Sequence, residues 1–524
     1  MNKKLKIAPY TLIRYESKLD TYFFYNVKDD NFWETDEVTG SVVAALDGTV
    51  SCEDIVNMLH EDSPDVSIED LREHFGETFK FLLKEGYILE YTGEKTLYAQ
   101  KKTQQPIALN KTSCDLSTNE NISDEDYDKY IRYYLDSIFN PPETAKKDGF
   151  NRYHRAMYNY IKQYSGDDNY LFSAPLVAYW NLTQACNFRC AHCLYNETEY
   201  SSKNDLTTEQ ALNLVDELVE AGIVAVNLSG GEVFLRPDTM DIIRRFKENN
   251  VAVHVFTNGS LLTDEIIDEI AELFNQYTDE VLISLDAATD ETFRKIRRSD
   301  KFNTICENVK KLTDKGVFVI NSCTMNNINK DEVFDIYKLT KLLGANKFLL
   351  GTMNNYNDSH VKLNVEPREL FKIYYDLSKN ESFDNSDLPP FWKTNELLNI
   401  PEVVKILNEP HYQELIKEQY KDALLKSNCH CHDKISIQSD GKIYLCSNAL
   451  FYDIAPLGSY KENSFAEIWE KRWDNILFQP RNREKSKCGK CKFNTWCNGG
   501  CKVDAYVKSE NVNVPAIPNC IACH

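Results

Sequence analysis

Six short apolar runs organise the middle of this 524-residue chain: 177–183, 224–229, 251–257, 280–286, 317–323 and 347–352. Helical periodicity fills the gaps between them, as in Leu212, Val215, Leu218 and Val219. Strands alternating with helices predict a parallel sheet with helices outside it. Six such units make an open, partial (β/α)6 barrel of the TIM type, and in such folds chemistry belongs at the C-terminal ends of the strands.

Directly after the first run stands Cys186-x3-Cys190-x2-Cys193. Thiolates are the usual ligands of iron–sulfur clusters. Three ligands on one loop leave one iron of a cubane open to a substrate group. A structural zinc loop is the alternative, but zinc sites take four protein ligands, and nearby only His192 offers a fourth. The remaining cysteines are unevenly spread: nine of the sixteen fall between Cys429 and Cys523. No export signal precedes them, so this clustering reads as metal or cluster ligation, not as a disulfide framework. The strongest spacing is Cys488-x2-Cys491-x5-Cys497-x3-Cys501. Cys429, Cys431 and Cys446 flank a hairpin expected over Ile435 to Leu445, turning at Ser439-Asp440-Gly441. Cys520 and Cys523 follow. Paired Cys-x2-Cys units also make zinc sites. Cys52, Cys114, Cys306 and Cys323 fit no ligand spacing.

A net charge of −21 argues against nucleic acid as the main partner. No apolar run approaches the roughly 20 residues that span a bilayer, and no signal-peptide core is present, so the chain is expected in the cytoplasm.

Five segments are expected. Residues 1–92 form a small winged-helix-like α+β unit. Within it, aromatic alternation from Thr21 to Trp33 predicts a hairpin, three helical patterns follow, Ser51 and Asp54 form a capping box, and Gly86 ends the third helix before a last strand. Residues 93–170 are a linker and helical bridge broken at Pro141-Pro142, 171–354 the barrel, 355–428 a helical insert, and 429–524 the cysteine-rich domain.

Asn187 to Cys193, followed by Ser229-Gly230-Gly231-Glu232, resembles the radical S-adenosylmethionine (SAM) superfamily. The resemblance implies a 4Fe–4S cluster on Cys186, Cys190 and Cys193 whose open iron is chelated by SAM. It also implies reductive cleavage of SAM to a 5′-deoxyadenosyl radical that abstracts hydrogen. His192 stands where the family often has an aromatic residue. Gly230 and Gly231 are expected to allow close backbone approach to the ligand, and Glu232 to accept from the ammonium of SAM. By the same resemblance Asn258, Ser284, Asp286, Arg297, Asn321 and Leu350 line the SAM site, with Arg297 near the carboxylate.

The C-terminal cysteines resemble the SPASM extension, which carries two auxiliary 4Fe–4S clusters. The implied ligands are Cys429 and/or Cys431, Cys446 and Cys501 for one, and Cys488, Cys491, Cys497 and Cys520 (or Cys523) for the other. Residues 8–92 resemble the PqqD-like recognition element, which binds the leader of a ribosomal precursor peptide by strand addition. Together these imply a peptide-maturing radical SAM–SPASM enzyme that forms thioether cross-links between a cysteine sulfur and a carbon. Its cofactors are SAM and three 4Fe–4S clusters, and its electron donor is a flavodoxin or ferredoxin. The runner-up is a carbon–carbon or ether link, or side-chain oxidation. A non-catalytic metal-containing peptide carrier leaves Gly230-Gly231-Glu232 at a strand end unexplained. No Gly-x4-Gly-Lys loop is present, and no serine or cysteine hydrolase triad can be argued from spacing.

Overall fold

The computed structural model describes residues 3–91, 122–140, 152–167, 170–194, 200–353, 361–387, 394–420, 433–479, 481–482, 487–516 and 520–523. The expected linker, Pro141-Pro142, Cys114, Cys429 and Cys431 lie outside them.

The N-terminal unit runs β1 (Lys4–Ile7), β2 (Thr11–Glu16), β3 (Thr21–Asn26), β4 (Asn31–Asp36), α1 (Glu37–Ala44), β5 (Asp47–Ser51), α2 (Cys52–Asp62), α3 (Ile68–Lys84) and β6 (Ile88–Glu90). The expected hairpin is β3–β4, with Phe24 opposite Trp33. It belongs to a three-stranded meander, β2-β3-β4, beside a second small sheet ordered β5-β1-β6. Strand β5 is an addition to the sequence reading. The Ser51 capping box forms as expected, and Gly86 takes φ +77° after the last turn of α3.

Both faces of β3 are buried. Phe24 faces the unit's own core of Val43, Phe75, Phe79 and Leu82. Phe23 and Tyr25 face a second core with Met157, Val177, Ala225 and Ala252. The meander is therefore a slab clamped between its own helices and the N-terminal ends of the barrel strands. A buried ion pair fixes it there. Arg14 and Glu16 are fully buried and bonded at 2.7 Å. Arg14 Nη1 also donates to the carbonyls of Ala221 at 2.9 Å and Gly222 at 2.7 Å. Glu16 accepts from the Tyr170 hydroxyl and the Ser173 N–H.

Helix α4 (Asp124–Phe139) and α5 (Arg152–Ser165) follow. The barrel strands are β7 (Val177–Thr183), β8 (Ala225–Gly230), β9 (Ala252–Thr257), β10 (Glu280–Ser284), β11 (Val319–Met325) and β12 (Lys347–Thr352). They alternate with α6 (Thr208–Glu220), α7 (Thr239–Glu248), α8 (Asp264–Leu273), α9 (Asp290–Arg297), α10 (Phe302–Asp314) and α11 (Val333–Leu342). Side-chain caps at Thr207, Thr263 and Thr289 start α6, α8 and α9 at the loops after β7, β9 and β10. All six strands are parallel and in chain order, as the alternation predicts.

Two boundaries differ from the sequence reading. The C-terminal hairpin, β13 (Lys434–Ile437) and β14 (Lys442–Tyr444), joins the barrel sheet: β13 pairs parallel with β7, Lys434 opposite Val177. The bridge and the insert are likewise one body. Helices α4, α12 (Pro367–Lys379), α13 (Pro401–Leu407) and α14 (Pro410–Tyr420) share a core with α11, built on Tyr134, Ile336, Phe371, Leu407 and Tyr412. Helix α5 instead underlies the barrel, with Tyr153 and Met157 in the floor core.

Candidate functional site

The cysteine loop leaves β7 at Thr183 and is pressed onto the end of β8. Gly231 N–H donates to Thr183 O and Glu232 N–H to Ala185 O, both at 2.8 Å. Gly230 has φ +134°, and a Cβ on it would stand 2.3 Å from Thr183 O; one on Gly231 would stand 2.2 Å from Ala185 O. The close approach that these glycines allow within the chain is to the cysteine loop's own backbone.

Other contacts hold the loop from its remaining sides. Ala191 N–H donates to Ile296 O at the end of α9. Asn187 binds Ser260 Oγ and accepts from Asn258 Nδ2 at 2.8 Å. Phe188 is buried edge-on against Phe293.

The three thiols gather at this rim, Cys190 buried and Cys186 and Cys193 partly so, against one hydrophobic core. None is in a disulfide. Burial, then the neighbouring thiols, pushes Cys186 up to about 11 against the lowering effect of the Phe188 N–H. Such thiols lose their protons to a bound cation more readily than to solvent. Among the described residues no three His, Cys, Asp or Glu side chains converge on a single ion. Three thiols on one loop, none of them in a disulfide, can ligate three irons of a cubane.

Arg297, expected at a SAM carboxylate, is 8% exposed. Its Nη1 lies 3.6 Å from Cys190 Sγ and its Nη2 pairs with Asp286. Burial works against its charge, but Asp286 and Cys190 outweigh this and hold it protonated. Among the described residues Nε has no acceptor. Asp286 is fully buried, accepts from Thr324 N–H at 2.7 Å and lies 3.6 Å from His192 Nε2.

The other expected SAM residues divide. Glu232 is fully buried, accepting from Thr257 Oγ1, the Asn258 N–H and the Phe234 N–H. It braces β8 to β9, and an incoming ammonium would have to compete with these donors. Asn258 is committed to Asn187 and the Ser260 N–H. Asn321 faces outward, donating to Thr340 Oγ1 on α11 and accepting from Leu285 N–H. Leu350 is buried in the helix-side core. Both were assigned by resemblance; the two-residue period of a strand turns them to the outer face.

The partly open face carries Ser229, Phe256, Ser284, Ser322, Thr324 and Leu349. Ser284 lies opposite Ser322, and Ser322 opposite Leu349. Of these, Ser284 is among the expected residues, Ser229 stands in the quoted Ser-Gly-Gly-Glu stretch, and Leu349 adjoins the expected Leu350. Strict alternation along each strand is the signal that finds the rest.

The C-terminal cysteines form two groups. Cys446 precedes α15 (Ser447–Phe451), where Asn448 Nδ2 lies 3.5 Å from Cys501 Sγ. Burial first, then the neighbouring Cys501, raises the Cys446 thiol. Cys488, Cys491, Cys497 and Cys520 make the second group. Burial, then Cys520, Cys488 and Cys491, pushes Cys497 up to about 12. Cys491 Sγ lies 3.5 Å from Ala522 O, which brings the turn before Cys523 alongside; the Cys523 side chain is outside the described residues. Cys501 thus leaves the run Cys488-x2-Cys491-x5-Cys497-x3-Cys501 for Cys446, and Cys520 joins the other three, a division implied by the resemblance and not by the spacing. The second group also packs on the helical body, with Trp496 against Phe139 at 5.3 Å. Cys52 and Cys306 lie elsewhere, and Cys323 faces the helix layer beside Asn329.

Residues 180–340 match the radical SAM superfamily and residues 429–492 the SPASM iron–sulfur cluster-binding domain. Among curated relatives, an AdoMet-dependent heme synthase of Methanosarcina barkeri is 26% identical over 354 residues, 64% of this chain and 93% of that protein. The antilisterial bacteriocin subtilosin biosynthesis protein AlbA of Bacillus subtilis is 26% identical over 357 residues, 65% of this chain and 69% of its own. The mycofactocin maturase MftC of Mycobacterium tuberculosis is 24% identical over 359 residues, 67% and 84%. The crystal structure of Streptococcus suis SuiB aligns with a TM-score of 0.54 at 14% identity, over 97% of this chain and 98% of that one, a likeness of fold. The chain is an α/β radical SAM barrel with a C-terminal SPASM domain, and its cofactors are SAM and 4Fe–4S clusters. No helix among the described residues is long and apolar enough to cross a membrane.

Proposed function

We propose that the chain matures a ribosomal precursor peptide: it binds the leader on its N-terminal unit and forms thioether cross-links in the core, from cysteine sulfur to carbon. The observation that carries the reading is the exposed outer strand of the meander. Among the described residues β4 pairs with β3 alone, and its side chains are partly open along most of its length. Trp33 on one face lies beside Phe81 of α3, and Phe32 on the other stacks on Tyr160 of α5. An extended peptide adding to β4 gains main-chain hydrogen bonds, and apolar side chains on either flank of the strand supply specificity. Relatives support the choice of substrate: AlbA is a bacteriocin biosynthesis protein, and SuiB has been crystallised with its precursor peptide SuiA. The heme synthases share the barrel and cluster domain, so those two parts do not by themselves select a peptide.

Cys186, Cys190 and Cys193 would hold the SAM-binding cluster. Cys446 and Cys501, with Cys429 or Cys431, would hold one auxiliary cluster, and Cys488, Cys491, Cys497 and Cys520 the other. Bound there, these groups supply one-electron cleavage of the SAM sulfonium, hydrogen abstraction from a substrate carbon, and a sink for the electron released as the new bond closes. The chain's own contribution is placement. Gly230 and Gly231 seat the cysteine loop on β8; Asn258 and Asn187 fix its near edge. Ser229, Ser284 and Ser322 present small hydroxyls on the open face, which leave room for a ligand and hydrogen-bond it. Phe256 and Leu349 limit water there.

The test is co-expression with short cysteine-containing peptides encoded beside the gene, followed by mass analysis before and after thiol alkylation. Loss of two hydrogens per bond together with loss of an alkylatable thiol is the expected result. Loss of two hydrogens with every thiol still alkylated would select a carbon–carbon or ether link. Substituting Trp33→Glu should weaken leader binding without lowering iron content.

A further inference from the structure

The three loop thiols have unlike neighbours. Cys186 Sγ accepts from the Phe188 N–H at 3.4 Å. Cys193 lies against the Tyr200 hydroxyl. Cys190 faces Arg297 Nη1 at 3.6 Å. Of these three neighbours only the guanidinium carries charge.

That charge is fixed in place. Arg297 ends α9, and one residue before it Ile296 O accepts from Ala191 N–H of the cysteine loop, so helix and loop are bonded beside the contact. Asp286 takes Nη2, and Thr324 N–H anchors Asp286 in turn. Asp286 is fully buried and Arg297 nearly so. Salt and water screen such a charge far less than one at the surface. The potential of an iron–sulfur cluster depends on hydrogen bonds to its sulfurs and on the charge around it.

We propose that Arg297, held by Asp286, raises the reduction potential of the SAM-binding cluster by placing a fixed positive charge and a hydrogen bond on one ligand sulfur, that of Cys190. The inference rests on Cys186, Cys190 and Cys193 being the ligands. Reduction adds one negative charge to the cluster, and the guanidinium stabilises that state over the oxidised one. No bond is made or broken at Arg297; the electron comes from an external one-electron donor. Arg297 is a positioning residue, and Asp286 both orients its charge and tempers it. The arrangement biases reduction toward the barrel cluster, where the electron is needed, at a rim where burial alone would oppose it.

The experiment is an EPR-monitored reductive titration of the reconstituted full chain with dithionite, beside iron and sulfide counts. Addition of SAM marks which signal belongs to the barrel cluster. At the potential where the unsubstituted protein has that cluster half reduced, Arg297→Met should lower the reduced-to-oxidised ratio at least tenfold, equivalent to 59 mV for one electron. The auxiliary signals should stay in place, and Arg297→Lys should recover most of the shift. Asp286→Asn, which removes the counter-charge, should move the ratio the other way. A full iron count in Arg297→Met with an unmoved barrel signal would overturn the proposal, as would equal shifts in all clusters. Should Arg297→Met fail to hold iron, the neutral Arg297→Gln decides: a lowered ratio at the barrel signal alone supports the proposal, and an unmoved ratio refutes it. Absence of a SAM-responsive signal in the unsubstituted protein would instead overturn the ligand assignment.

Discussion

Replacing Gly231 by alanine adds one methyl group where the cysteine loop crosses β8. The new Cβ would stand 2.2 Å from Ala185 O, 2.6 Å from Ala185 C and 2.7 Å from Gln184 O, all backbone atoms. Real Cβ contacts essentially never fall under 3.0 Å, so Ala185 must retreat by at least 0.8 Å, the difference between 3.0 and 2.2 Å. No side-chain rotation relieves the clash, because the atoms it meets are main chain. The retreat strains the Glu232 N–H bond to Ala185 O and moves Cys186, the next residue. Overpacking of this kind costs about 1–3 kcal/mol. The assay is anaerobic reconstitution with iron and sulfide counts, beside a denaturant titration of the unloaded protein. The expected outcome is a loss of about four irons per chain and an unfolding midpoint lowered by that energy. Gly351→Ala on β12 is the matched control, since a Cβ there meets nothing within 4 Å. A Gly231→Ala protein with full iron and an unshifted midpoint would refute the argument that backbone contact dictates these glycines.

Replacing Cys186, Cys190 and Cys193 together by alanine should remove about four irons and leave about eight, counted by colorimetric iron assay; an unchanged count would sink the ligand assignment. Arg14→Met or Glu16→Gln alone strands a buried charge and should cost about 3–5 kcal/mol in urea unfolding, whereas Arg14→Met/Glu16→Gln together should cost less than the sum. His254 is buried and burial holds its imidazole neutral, lowering its pKa to about 3. Between that value and the ordinary 6.5 the unfolded chain binds the extra proton, so stability is full above 6.5 and falls as pH drops, by up to about 1.4 kcal/mol per pH unit. His254→Gln should flatten that slope in unfolding titrations at pH 7 and pH 5.

The barrel was legible because each strand is a short apolar run bounded by a helical pattern, whereas the division of the C-terminal cysteines came from the resemblance, since the run from Cys488 to Cys501 splits in space, Cys501 lying by Cys446. The glycines were found for a partly different reason: nothing local distinguishes a glycine that admits a ligand from one that admits a neighbouring loop. Asn321 and Leu350 were placed on the wrong face because resemblance overrode alternation, which for β11 and β12 assigns Ser322 and Leu349 to the open side. The pairing of β13 with β7 joins residues some 250 positions apart, and no periodicity in either segment encodes it. Arg297 was singled out, but its partners are a cysteine on another loop and the carboxylate of Asp286 in the loop between β10 and α9, a triad that only the assembled rim brings together.

The late arrival of β13 also has a consequence for synthesis in the cell. From Thr183 to Lys434 the chain grows by 251 residues, which at about 5–20 residues per second takes some 13–50 s. Throughout that interval the outer edge of β7 presents unpaired N–H and C=O groups, the template on which nascent strands stick to one another. A ribosome stalled anywhere in this window, or a gene truncated before residue 434, leaves the half-built sheet open at its first strand. Holdase chaperones should therefore be found on the nascent chain from the emergence of the barrel until the hairpin clears the exit tunnel.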